Sequence, residues 1–166
     1  MAALADWLEG VFAPWIDFYS SSAATETAVM FLHLGALVAA GGLAFTLDRA
    51  VLRSGSRGWP SRMDLARELH QSHRAVVGGL AAVFASGIAL TLADPTIFLL
   101  STVYWAKMTA VGLLLLNGFF LRRAGQRLLA APEDEATFRA LRRAALRSAA
   151  LWGLTILGGV AVTMYA

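Results

Sequence analysis

Four long apolar runs dominate this chain, at about 27–47, 75–93, 102–121 and 148–165. A helix needs roughly 20 apolar residues to cross a bilayer, and each run reaches or approaches that length. Each is apolar on all sides, as suits a helix facing lipid or other membrane helices. None shows the alternation of a membrane β-barrel strand. Composition agrees: only 15% of the 166 residues are charged, where soluble domains carry about a quarter. The runs predict an all-α polytopic membrane protein. A short turn, "LADPTIFLLS", and the alternating topology make it an antiparallel four-transmembrane-helix bundle.

Residues 1–22 precede the runs. They have no basic start and carry acids where a secretory signal has its apolar core. As a helix, this stretch puts Leu4, Leu8, Val11, Phe12, Trp15 and Phe18 on one side. Asp6, Glu9, Ala13 and Asp17 fall on the other, and Pro14 predicts a kink. Two readings stay open. One is an interfacial amphipathic helix on the membrane surface, anchored by Trp7 and Trp15. The other is a segment docked against a partner protein. The domain layout is thus an interfacial segment at 1–22 and a transmembrane domain at 23–166.

Arginines divide the loops sharply. The loop between runs one and two carries Arg49, Arg53, Arg57, Arg62 and Arg67, ending at Arg74. The loop between runs three and four carries Arg122, Arg123, Arg127, Arg139, Arg142, Arg143 and Arg147. The opposite end has almost only acids. The positive-inside rule puts both arginine-rich loops in the cytoplasm of a bacterial inner-membrane protein, with both termini on the periplasmic side. The net charge of +3 then marks contact with anionic lipid rather than nucleic acid. The lipid bilayer is the expected partner. Ser61 with Asp64, after Pro60, resembles a capping box. Pro132 followed by Glu133, Asp134 and Glu135 is a second helix start. Both helices are expected to run on into the following spans. "RSGSRGWPS" and "LAAPEDE" are the breaks.

With no cysteine, disulfides, iron–sulfur clusters and thiolate sites are excluded. No phosphate-cradling glycine loop or hydrolase triad spacing is present. Chemistry falls to ionisable residues inside the spans, which are costly there and functional candidates by default. His33 and Lys107 each lie about 10 Å below the outer surface, at 1.5 Å per residue. His33 is also open to a packing role, and Lys107 to snorkelling toward the headgroups. His70 and His73 sit one turn apart at the other edge, and Arg74 follows. A haem there would find an imidazole and a cation for a propionate. Met30 and Met108 with His33 suit Cu(I). The pairs Gly41–Gly42 and Gly78–Gly79 predict close approach of spans one and two. Gly158–Gly159, Ser86 and Gly87 lie near the His33 level, leaving room for a flat ligand or letting helices touch. Asn117 is placed to donate across helices.

The first run, "FLHLGALVAAGGLAFTLDR", resembles the opening helix of the CopD-like and HemJ-like integral membrane proteins. Its histidine is His33, its mid-span glycines Gly41–Gly42, and its terminal arginine Arg49. "YWAKMTAVGLLLLNG" supplies the later tryptophan and lysine, Trp105 and Lys107. Val38, Ala39 and Asp48 stand where the family pattern has tryptophan and proline. The resemblance covers about a third of the chain. It implies haem b or copper handling, with His33 as an axial ligand, Lys107 beside it and Arg49 as a surface anchor. The expectation is a haem b-binding redox or porphyrin-related protein, with His33, Lys107, His73 and Arg74 as cofactor-binding residues. Two alternatives accompany it. One is a non-catalytic subunit of a larger respiratory or photosynthetic complex, or a homo-oligomer. The other is copper handling through His33, Met30 and Met108.

Overall fold

The computed structural model describes residues 1–54 and 59–165. Among them there are six helices and no strand. They are α1 (Ala2–Ser20), α2 (Ala23–Arg53), α3 (Trp59–Ala93), α4 (Pro95–Leu100), α5 (Thr102–Ala130) and α6 (Glu135–Tyr165). Four of them, α2, α3, α5 and α6, are long and apolar enough to cross a membrane. The chain is a multi-pass, all-α membrane protein.

Local chemistry sets the starts. The Ser22 hydroxyl accepts from the Thr25 amide, with Glu26 in the first turn of α2. The Ser101 hydroxyl does the same for Tyr104 at α5. Such side chains satisfy amides that have no partner within the helix. Asp94 caps Ile97, with Pro95 at the first helical position. The stretch read as a plain turn is therefore a short helix, α4. α3 begins at Trp59, so a helix does run into the second span as expected. Residues 55–58 of "RSGSRGWPS" and the side chains of 59–61 lie outside the described residues.

The membrane helices form a ring in chain order. α2 packs chiefly on α3 and α5 on α6; the two hairpins meet through α2 with α6 and α3 with α5. At 29 to 35 residues these helices are about 43–52 Å long. That exceeds the roughly 30 Å hydrocarbon layer, so they project beyond it. The projection is where the tightest core lies. Val51, Leu65, Ala66, Leu69, Ala124, Leu128, Phe138, Leu141 and Ala145 form one buried cluster. Every one falls outside the four apolar runs, among the arginines. Arg62 seals its edge. It pairs with Glu135 at 2.7 Å and lies over the Phe138 ring at 4.2 Å, joining the start of α3 to that of α6. Within the apolar windows burial is sparse, at 6% for α2 and α3. Phe31, Val38 and Leu157 face outward, as lipid contact requires.

α1 differs from its amphipathic pattern. It continues as one helix through Pro14 and packs on α4, α3 and α2. Ala5 is the buried residue, while Leu4, Val11 and Phe18 are exposed. The Trp15 indole donates to the Ala89 carbonyl at 3.0 Å. Thr96 hydrogen-bonds Glu9, so that acid faces the protein. The helix thus has a docked face and a separate apolar face. The pattern ran them together because a helix against protein and lipid at once has no purely polar side.

Of the two pairs expected to bring spans one and two together, only Gly79 does so; Gly41 approaches α6 instead. A Cβ on Gly79 would stand 2.7 Å from the Ala40 Cβ, and one on Gly41 would stand 3.1 Å from the Trp152 ring. At Gly42 and Gly78 it would meet nothing within 4 Å. Gly79→Ala is expected to destabilise the purified protein by about 1–3 kcal/mol through overpacking. Gly78→Ala is expected to be neutral or to add up to about 1 kcal/mol. Thermal unfolding in one detergent compares the two.

Asp134 starts α6, accepting from the Ala136 amide at 2.9 Å and from the Thr137 hydroxyl at 2.5 Å. The Thr137 bond first, then the Ala136 amide, hold its carboxyl below the usual 3.8. A depressed carboxylate contributes stability above its unfolded value and loses it as pH falls through the folded one. Amide exchange in the first turn of α6 is expected to accelerate below about pH 4. In Asp134→Ala it is expected to be fast throughout.

Candidate functional site

Helix register brings His33 and Lys107 to one height. The His33 ring on α2 rests against Gly87 on α3, where an added Cβ would meet Cε1 at 3.3 Å. The Lys107 stem on α5 rests against Gly158 on α6, at 3.1 Å by the same measure. The Gly41–Trp152 contact links the hairpins. His33 lies eight residues above Gly41, about 12 Å, and Gly158 six above Trp152, about 9 Å. The two groups therefore stand within about 3 Å of the same level. The small residues Gly87 and Gly158 admit these two side chains. Gly159 alone keeps open space beside it, with nothing within 4 Å.

Ser86 determines which ring nitrogen carries the proton. His33 Nδ1 lies 3.0 Å from Ser86 Oγ. The hydroxyl has one proton, directed at the carbonyls of Ala82 at 2.7 Å and Val83 at 3.1 Å in its own helix. Toward His33 it therefore accepts. With the hydroxyl proton on Ala82, the nearer carbonyl, Oγ can accept from Nδ1–H, which leaves Nε2 as the ring nitrogen to act as acceptor or ligand. This is how second-shell bonds orient ligating or basic histidines. Two further groups near this level have unused capacity. No carboxylate pairs with Lys107 among the described residues. The Thr155 hydroxyl, one turn below Gly158, is buried without a partner. A lone pair, an ammonium and a hydroxyl can together hold an electrophilic centre and an anionic arm, or relay a proton.

The other candidates do not join this site. His73 faces Arg122 of α5 and His70 of its own helix, whereas Arg74 is exposed. His70, His73 and Arg122 line a groove of about 50 Å³. That holds a water or a phosphate oxygen, far less than the several hundred Å³ of an ordinary ligand pocket. The groove therefore does not fit the haem expected of His73 and Arg74. Met30 is exposed on α2 and Met108 half-buried on α5. Among the described residues no three His, Cys, Asp or Glu gather to hold a metal.

Sequence reasoning missed a second polar layer. Asp48 is 3% exposed, and its Oδ2 has no partner among the described residues. Asn117 nearby donates to the Ala144 carbonyl at 2.9 Å, the cross-helix bond expected of it. Trp152, Leu114 and Ala40 form an apolar plug between the two layers. The available signal was an acid next to Arg49 at the end of an apolar run, which passed for a surface residue.

Comparison with family profiles, characterised proteins and solved structures returned no match.

Ser86→Ala is expected to leave the protein folded, within about 1 kcal/mol. It should convert the His33 ring from a single Nδ1–H tautomer to a mixture. Nitrogen chemical shifts of labelled histidine resolve the two forms.

Proposed function

We propose that the chain is a small bacterial inner-membrane protein for redox or porphyrin-related chemistry, and that His33 Nε2 is its ligand atom for haem b. One observation carries this reading: Ser86 engages Nδ1 of His33 at 3.0 Å, which leaves Nε2 for a ligand, with Lys107 and the unpartnered Thr155 hydroxyl near the same level. The donor set fits haem. A neutral imidazole is a common axial ligand, and a propionate needs a cation. Lys107 would hold that carboxylate, and Thr155 would bond a polar atom of the group. Bound haem would supply one-electron transfer. The resemblance of the first and third spans to the CopD-like and HemJ-like proteins points the same way. The arginine asymmetry supports an orientation with both termini on the periplasmic side, which would put His33 and Lys107 in the outer half of the bilayer.

Within this reading the residues have separate tasks. Ser86 fixes the ring's tautomer and rotation. Gly87 lets the Cε1–Nδ1 edge of the ring approach α3. Lys107 would pair with an anionic arm of the bound group. The Trp152 plug separates this layer from Asp48.

Gently extracted protein from haem-replete cells is expected to show a Soret band that sharpens and shifts on reduction. The band is expected to vanish in His33→Ala and to persist with altered position in Lys107→Met. A colourless protein, prepared where a control cytochrome keeps its haem, would overturn the proposal. Copper in that preparation, lost with His33→Ala, would replace haem by the metal.

A further inference from the structure

The exposed face of α5 changes character within one turn. Leu113, Leu116, Phe119 and Phe120 are exposed apolar side chains. Arg122, Arg123, Gln126 and Arg127 follow directly and, with Phe119, line an open cleft of about 430 Å³. The cleft meets the histidine groove, because Arg122 and Gln126 line both. Gly118 and Gly125 keep the floor of that groove low, since a Cβ on either would meet nothing within 4 Å. Neither cavity has an acid in its wall. Among the described residues only Arg62 and Arg67 make ion pairs, so the three arginines of α5 keep their donors free.

We propose that this double cleft is a binding site for the headgroup of an anionic phospholipid. The phosphate sits on Arg122, Arg123 and Arg127. Gln126 and the edge of the His70–His73 groove take its remaining oxygens and glycerol hydroxyls. The acyl chains run up the ridge from Phe119 toward Leu113. Three features select lipid over a free anion or an acidic peptide. The cleft lies where a lipid-facing surface ends, its wall includes an exposed phenylalanine, and its charge is uniformly positive. Guanidinium forks bind phosphate oxygens in pairs, and basic pockets beside membrane helices recognise lipid headgroups. The arginines of α6 serve as an internal contrast. Arg142, Arg143 and Arg147 are equally exposed and line neither of these two clefts.

The test uses delipidated full-length protein and phosphatidylglycerol, with phosphatidylcholine as the neutral reference. Thermal stability and native mass spectrometry read binding. Wild type is expected to gain stability and retain phosphatidylglycerol selectively. Arg122→Gln/Arg123→Gln/Arg127→Gln is expected to bind on the order of a hundredfold more weakly, at about fivefold per arginine. Arg142→Gln/Arg143→Gln/Arg147→Gln, with the same change in charge, is expected to bind as wild type does. Equal loss in both variants would reduce the effect to diffuse attraction and overturn the site. Equal stabilisation by inorganic phosphate alone would overturn the lipid assignment, as would preference for an acidic peptide over phosphatidylglycerol. If the α5 triple variant loses its helical circular dichroism, Arg122→Gln alone decides, with about fivefold weakening expected and none overturning the proposal.

Discussion

The contact between Gly79 and Ala40 governs the rest of the structure. With no side chain on Gly79, α2 and α3 close to van der Waals distance at one point, which fixes their relative height. From that point α2 rises seven residues to His33 and α3 rises seven to Ser86, so imidazole and hydroxyl meet. A slip of one residue would turn His33 by about 100° around its helix, away from its acceptor. Gly41 against Trp152 then joins this hairpin to the second. Small residues in a bilayer bring backbones together by packing alone, because lipid tails give apolar side chains no reason to prefer each other. Polar contacts in the interior inherit their geometry from those close approaches.

The bundle is built for two solvents. Among the arginines, where water reaches, nine residues close into a core of the ordinary kind. Removing each from water stabilises the fold, by about 1.5–3 kcal/mol for a large aliphatic chain. Higher up, the same four helices leave most of their surface to acyl chains. There the ordering comes from glycine contacts and from the need of each polar atom for a partner. Two of the three unsatisfied buried side-chain atoms among the described residues, on Asp48 and Thr155, stand at the two faces of the Trp152 plug; the third, Arg62 Nε, lies in the arginine-rich half.

The architecture was legible in the sequence because lipid selects for it crudely. A run of twenty apolar residues has few other fates, and arginine placement separates the ends. His33 and Lys107 were legible for the same reason, as ionisable groups where ionisation is expensive. Ser86 was not, since a serine among alanines reads as a small packing residue until its partner is known. Asp48 was not, because one helical turn separates a solvated carboxylate from a buried one and apolar runs do not mark that boundary so finely. The two faces of α1 escaped because periodicity reports which residues avoid water, and lipid and protein satisfy that equally. That His73 shares a groove with Arg122 rather than with Arg74 is a tertiary fact. Adjacent residues on a helix point about 100° apart, and proximity in the chain misled.

The docking of α1 has a temporal side. Its anchors are remote: Trp15 bonds a carbonyl 74 residues later, and Glu9 a hydroxyl 87 residues later. At about 5–20 residues per second, the ribosome needs roughly 4–17 s to supply those partners. α1 thus settles only after α2 and α3 have been made and α4 has begun. While it waits, its aromatic side chains have only the membrane surface to rest on, and the growing hairpin is free to insert without a premature lid.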